Sequence, residues 1–130
     1  MPEKVFFRGK AQADMSDISQ GSYVPLIKSK MRRSIKRNGI SYQKLLEKVE
    51  KHKRLNSTKP IRTHVREAVI LPAWLGMRFE VHNGKEFLPV YISVNMLGHR
   101  LGEYSHTTKH VQHSAPGIRA TRGSKLLAVK

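Results

Sequence analysis

The clearest alternation of apolar and polar positions lies between residues 77 and 92, in two runs separated by Asn83-Gly84. Two alternating runs around Asn-Gly predict a β-hairpin, because a type I′ turn needs positive φ at both central residues and these two tolerate it. A two-residue loop predicts three cross-strand pairs, namely Val81 with Glu86, Phe79 with Leu88 and Met77 with Val90.

That register gives the hairpin one apolar face and one polar face. The apolar face holds Met77, Phe79, Val81, Leu88, Val90 and Ile92, and the wetter face holds Arg78, Glu80, His82, Lys85 and Phe87. Pro89 has no backbone N–H to donate, so its strand is predicted to have one unpaired side.

Short apolar turns flank the hairpin at residues 72–76 and 95–98. Each has a start signal, Pro72 or Asn95, and each ends in a glycine, which tolerates the left-handed conformation beyond a helix. We expect both turns to fold their apolar side chains onto the sheet.

Helical spacing of apolar residues predicts basic helices over Pro25–Arg37 and about Ser41–Arg54. The alternation of Ile61–Val65 predicts a third strand. The expected fold class is therefore α+β, a small antiparallel sheet of about three strands with an Asn-Gly hairpin, packed with short helices. Basic N-terminal helices and a flexible C-terminal tail complete it.

Three segments are expected along the chain: an N-terminal arm and the basic helices (1–59), a globular sheet core (60–104) and an extended basic tail (105–130). The start of the chain is weakly patterned and is interpreted largely as an arm or loop. Residues 104–130 contain no Asp or Glu and little periodicity. Such a segment is expected to be disordered alone and to become ordered along a polyanion.

Charge narrows the choice of partner. The 130 residues hold 25 Lys and Arg against 9 Asp and Glu, a net charge of +16. Repulsion of this size disfavours a compact state unless a polyanion neutralises it, so nucleic acid is the expected partner. No apolar stretch approaches the roughly 20 residues needed to cross a bilayer, so no membrane partner is expected. The absence of cysteine is compatible with the cytoplasm.

Catalysis, metal binding and cofactors are not expected. His106, His110 and His113 have plausible ligand spacing, but no carboxylate or thiolate accompanies them. No nucleophile–base pair or pair of carboxylates stands out, so the chain is interpreted as non-enzymatic.

The basic helices supply the first candidate phosphate contacts, although a merely solvated cationic face is the alternative interpretation. The candidates are Arg32, Arg33, Lys36, Arg37, Lys53 and Arg54; Lys125 is a further one in the tail. Spacing alone does not distinguish RNA from DNA. A basic nucleoid or regulatory protein that binds DNA is the alternative function, and it predicts a recognition helix and usually a dimer.

A family resemblance separates these alternatives. The run PIRTHVREAVILPAWLGMRFEVHNGKEFLPVYISVNMLGHRLGEYSHTTKH, with its motifs ILPxxLG, VHNGKEFLPVYI and MLGHxLGEY, closely resembles the universal small-subunit ribosomal protein S-nineteen family, called S-fifteen in eukaryotes. The tail HSAPGIRATRGS resembles the archaeal and eukaryotic branch of that family.

The resemblance implies a structural constituent of the small ribosomal subunit, located in its head and bound to ribosomal RNA. It further implies contact with the neighbouring protein S-thirteen, a bridge to the large subunit, and a tail that extends toward the decoding site and A-site transfer RNA. The RNA-facing positions that it implies are Arg62, His64, Arg66, Lys85, Gly98, His99 and Arg100 in the globular part, and Lys109, His113, Arg119 and Arg122 in the tail.

Overall fold

The computed structural model describes residues 5–37 and 39–110. Its α-helices are α1 (Gln12–Ser16), α2 (Gln20–Tyr23), α3 (Ser29–Arg37) and α4 (Ile40–Arg54). Its strands are β1 (Phe6–Phe7), β2 (Lys10–Ala11), β3 (Ile61–Thr63), β4 (Arg78–His82) and β5 (Phe87–Tyr91). Short 3-10 turns lie at Val24–Leu26, Pro72–Trp74, Val94–Met96 and Leu101–Tyr104. The α+β class is confirmed.

The main sheet has the order β3-β4-β5. Strands β4 and β5 are antiparallel, whereas β3 runs parallel to β4, with Ile61 opposite Phe79. The expectation of a purely antiparallel sheet is therefore wrong for its first strand. A parallel pair needs a crossover of about a dozen residues or more, and residues 64–77 provide one. Strand β5, which contains Pro89, is an edge strand as predicted.

The hairpin has a longer loop than predicted. Val81 pairs with Leu88 and Phe79 with Val90, so the register differs by two positions from the expected one. The side chain of Asn83 closes the loop, because its Oδ1 accepts from the N–H groups of Lys85 at 2.9 Å and Glu86 at 2.8 Å. Among the loop residues only Gly84 has positive φ, so the predicted type I′ turn is wrong. A shift of two residues leaves every side chain on its predicted face.

The inner face of the sheet forms one side of the core. Phe79, Val81 and Val90 are buried there, and Trp74, only 1% exposed, packs against Phe79 with 5.2 Å between ring centroids. Both predicted turns flank this face. They are followed by Gly76 and Gly98 in the left-handed region, although the second turn begins one residue before Asn95.

The basic helices differ from their predicted bounds. Pro25 lies in a 3-10 turn, and α3 begins at Ser29 after a break at residues 27–28. Helix α4 begins at Ile40, one residue before the predicted start, and Gly39 is its N-cap. Leu45 and Val49, which have the helical spacing of four residues, are buried. The break lets Ile27 reach the core, and α3 directs Ile35 into the core as well.

The start of the chain also reaches the core. Strands β1 and β2 form a small antiparallel hairpin, and Met15 and Tyr23 are fully buried. The Tyr23 hydroxyl donates to the carbonyl oxygen of Ile70 at 2.9 Å. The weak sequence pattern did not predict these contacts, because isolated core residues separated by polar ones carry no periodicity. The division into three segments stays a prediction.

Two segments outside the α-helices and strands pair across the core. The Ile70 N–H donates to the His99 carbonyl at 2.9 Å, and the Leu101 N–H donates to the Ala68 carbonyl at 3.0 Å. We call residues 66–71 and 99–102 the crossing segments. They bring Arg66 and Arg100, far apart in sequence, into one part of the fold. In the described part of the chain, no helix has the length and hydropathy to cross a bilayer.

Candidate nucleic-acid interface

Helix α3 is rich in cations and contains no carboxylate. It turns Ile35 into the core and exposes its cations, which are Lys30, Arg32, Arg33, Lys36 and Arg37. Within residues 5–37 and 39–110, none of the five takes part in an ion pair. Lys36 and Arg37 also lie in the last turn, where the helix dipole favours cations. The helix therefore presents unneutralised positive charge to solvent.

The far end of α4 carries the next two candidates, Lys53 and Arg54, both exposed. A carboxylate oxygen of Glu50 lies 3.8 Å from the Arg54 guanidinium, and both side chains are largely in solvent. An exposed pair of this kind contributes little to stability and leaves the arginine available to a partner. Lys48, on the same helix, donates to the Arg62 carbonyl at 2.6 Å and so ties α4 to β3.

The sheet face opposite the core carries rings and cations. We call it the outer sheet face; its residues are Arg62, His64, Arg78, Glu80, His82, Phe87, Pro89 and Tyr91. The His64 ring lies 4.5 Å from His82 and 5.1 Å from Phe87, measured between centroids. These rings come from three different segments of chain, and His64 is exposed.

Two arginines lie over rings of the outer sheet face. The Arg62 guanidinium is 5.5 Å from the Phe87 centroid, and Arg62 also donates to Glu80 at 2.6 Å. The Arg78 guanidinium is 5.1 Å from the Tyr91 centroid. Phe87, Tyr91 and Arg78 were not among the predicted site residues. The alternation of the hairpin was the signal that placed them together on this face.

Arg66 points inward. One terminal nitrogen donates to the His82 carbonyl at 2.7 Å and to Ser105 Oγ at 3.1 Å. The other donates to the Gly102 carbonyl at 2.9 Å and to the Ser105 carbonyl at 2.6 Å. We call this arrangement the Arg66 hydrogen-bond cluster. It gives Arg66 a structural role, fixing the chain where the tail begins; the RNA contact implied for Arg66 stays a prediction.

Gly98 and His99 also make contacts within the chain. A Cβ on Gly98 would lie 3.2 Å from Ile27 Cγ2, so the close approach at this glycine is to the protein's own core. The His99 ring nitrogen Nδ1 lies 2.7 Å from Glu103 Oε2, and the Arg100 N–H donates to the other carboxylate oxygen at 3.2 Å. Partial burial acts to raise the pKa of the Glu103 carboxyl, but these hydrogen bonds and nearby positive charge outweigh it and lower that pKa.

A cleft of about 540 Å³ lies between α3, the start of α4 and the crossing segments. We call it the cationic cleft. Four cations line it, against one acid, Glu67; the four are Lys30, Arg33, Arg37 and Arg100. Three of these were predicted site residues, and the fold brings Arg100 to the two from α3. Arg32 and Lys36 do not line the cleft.

The remaining candidates fall into two groups. Lys85 is exposed in the hairpin loop, and Lys109 is exposed after the last turn. His113, Arg119, Arg122 and Lys125 lie outside the described residues, as does most of the predicted tail. Among the described residues no group of His, Asp and Glu is arranged to hold a metal ion.

Comparison with known proteins identifies a family and a relative that are similar to this chain. The family described as ribosomal protein S19 matches residues 33–113. The small ribosomal subunit protein uS19 of the archaeon Saccharolobus solfataricus is 45% identical over 126 residues, which are 95% of this chain and 90% of that relative. The matched range includes α4, the whole main sheet and both crossing segments.

Proposed function

Because the chain belongs to the ribosomal protein S19 family, of archaeal and eukaryotic type, it is a structural, non-enzymatic constituent of the small ribosomal subunit, and we propose that it acts by binding ribosomal RNA. Membership of a ribosomal family also makes it a cytoplasmic protein of translation. The alternative of a DNA-binding nucleoid protein loses its support.

The observation that carries the proposal is the surface of α3. Five cations in a helix of nine residues have no carboxylate among them and make no ion pair within the described residues. A free protein gains nothing from such a surface, because like charges repel; a phosphate backbone removes that repulsion and releases its own counterions.

The outer sheet face supplies a second kind of contact. His64 and Phe87 form adjacent rings beside Arg62, which is the combination that stacks on unpaired bases. Glu80 holds Arg62 over the ring rather than letting it extend freely. Phosphate contacts from the helices position the protein, and this face reads exposed bases.

The finer assignments follow from the family resemblance. We propose that the protein lies in the head of the small subunit beside protein S-thirteen, near a bridge to the large subunit. Its tail, with His113, Arg119, Arg122 and Lys125, is proposed to extend toward the decoding site and A-site transfer RNA. Crosslinking of the tail to RNA, mapped to nucleotides, tests the last assignment.

A binding series tests the main proposal. The full chain is titrated onto small-subunit ribosomal RNA, and onto duplex DNA of equal length, across a range of salt concentrations. We expect tighter binding to the RNA, with log K falling linearly as log salt rises. Equal affinity for the DNA, or no binding to the RNA at low salt, would contradict the proposal.

A further inference from the structure

The cationic cleft concentrates positive charge that no ion pair neutralises within the described residues. Arg33 and Arg37 come from one helix and Arg100 from a distant segment, so the cluster exists only in the folded chain. Glu67 lies on the same wall but makes no ion pair with them within the described residues. Four cations brought beside one acid repel each other, which destabilises the free protein unless an anion is bound.

Two residues that line the cleft each have a buried polar atom without a partner within the described residues. The Tyr42 hydroxyl and the Arg100 Nε are buried and make no hydrogen bond within the described part of the chain. Tyr42 is only 8% exposed, and both residues line the cleft. A buried donor without a partner costs about 1–3 kcal/mol, so such atoms are rare in a finished structure. Both atoms are closed to solvent in the free chain, so each side chain turns toward the cleft before a polar ligand there can satisfy it.

The start of α4 adds a third feature. Gly39 is the N-cap and has no side chain to accept hydrogen bonds from the first N–H groups, and Gly39 and Ser41 both line the cleft. The amino end of a helix of this length carries partial positive charge and free N–H donors, which together favour an anion. The anion-binding features of the helix and the side chains thus converge on one cavity.

We infer that the cationic cleft binds a phosphate group of an RNA strand, an inference that rests on the proposed RNA-binding function. Arg33, Arg37 and Arg100 pair with the phosphate oxygens, and the Tyr42 hydroxyl donates to the same nucleotide. The volume of about 540 Å³ exceeds what one phosphate needs and lies in the range of small-ligand sites. The cleft therefore takes the phosphate together with its sugar or base, against the apolar wall formed by Val65 and Val69.

A carboxylate of a neighbouring protein is the competing occupant. The surrounding charge favours RNA, because Arg32 and Lys36, which adjoin Arg33 and Arg37 in the same helix, are also exposed cations. A nucleic-acid strand has successive phosphates, which contact both the cleft and these exposed cations. A single carboxylate contacts only one of the two.

The test compares three forms of the full chain with the native protein: Tyr42→Phe, Arg33→Ala with Arg37→Ala, and a control, Lys28→Ala with Lys44→Ala. The control removes the same charge from exposed positions that do not line the cleft. Affinity for small-subunit ribosomal RNA is measured as a function of salt. We expect Tyr42→Phe to weaken binding about tenfold, and the double arginine variant to weaken it more and flatten the salt slope by about 1 per arginine.

Stability separates a ligand contact from a structural one. If the Tyr42 hydroxyl forms a hydrogen bond only with RNA, its removal leaves the thermal stability of the free protein unchanged or higher, because the free protein then loses an unpartnered buried donor. Loss of stability in Tyr42→Phe with unchanged RNA affinity would overturn the inference.

The remaining outcomes distinguish failure of the cleft site from failure of the proposed function. Native binding to RNA with equal losses in the arginine variant and the lysine control overturns the cleft site but leaves the proposed function standing. Failure of the native protein to bind RNA overturns both. Inorganic phosphate is the probe for a free anion: the inference expects it to compete with RNA only weakly, and strong saturable competition at the cleft would overturn an RNA occupant.

Discussion

Arg66 and Arg100 lie on the two crossing segments, yet their guanidinium groups meet different surroundings. Arg66 makes four hydrogen bonds to three residues of its own chain. Arg100 makes no side-chain hydrogen bond within the described residues, and its Nε is buried. The comparison teaches that charge alone does not indicate an RNA contact. An arginine whose donors are satisfied within the chain belongs to the fold, whereas for one whose buried Nε has no partner within the described residues we propose a ligand.

The largest expected effect comes from removing the Arg66 guanidinium. Arg66→Ala leaves the carbonyls of His82, Gly102 and Ser105 without their charged donor, and we expect a loss of about 2–4 kcal/mol of unfolding free energy. In thermal unfolding of the full chain that loss lowers Tm by about 10 °C. Arg66→Lys should recover only part, because an ammonium cannot reproduce the planar fork.

Arg62→Ala is the matched control for Arg66→Ala. Arg62 is exposed and makes one ion pair with Glu80, so its loss should change stability by less than about 1 kcal/mol. Equal stability of the two alanine variants, with weaker RNA binding by the Arg66 variant, would show that Arg66 faces RNA instead and would break the comparison.

Gly102 sharpens the comparison at a smaller scale. A Cβ at Gly102 would lie 2.9 Å from both the Cβ and the carbonyl oxygen of Arg66. Gly102→Ala therefore forces the Arg66 hydrogen-bond cluster apart. We expect the unfolding free energy measured in a denaturant titration to fall by about 1–3 kcal/mol. Gly21→Ala is the control, because a Cβ there meets nothing within 4 Å. Similar small effects of both changes would mean that the crossing segments are not closely packed.

The smallest effect concerns the Glu103 carboxylate. Its pKa is lowered in the folded chain, so its contribution to stability is present above the unfolded pKa and is lost as pH falls through the folded one. The group is nearly half exposed, which limits the effect to about 0.5 kcal/mol. Unfolding measured from pH 6 to pH 3 should show a smaller acid loss for Glu103→Gln than for the native chain. An identical loss of stability on acidification in both proteins would show that the Glu103 carboxylate does not contribute to stability.

Much of the fold follows from short-range pattern. The hairpin faces, the edge position of Pro89, the glycine-terminated turns and the two basic helices were all predicted from spacing. The hairpin register was not, because the Asn83 side chain hydrogen-bonds two backbone N–H groups and lengthens the loop. The burial of Met15 and Tyr23 was not predicted either, since neither belongs to a periodic run.

The candidate site likewise combines features that the sequence predicts with features that only the fold brings together. The excess of Lys and Arg, the lack of acids in α3 and the family motifs are properties of the sequence, and they determined that the partner is a polyanion of the ribosome. Only the tertiary structure decided that β3 is parallel, that Arg66 points inward and that Arg100 joins Arg33 and Arg37 around one cleft. The physical reason is that charge and periodicity act between near neighbours in the chain, whereas hydrogen-bond satisfaction depends on residues brought together from distant segments.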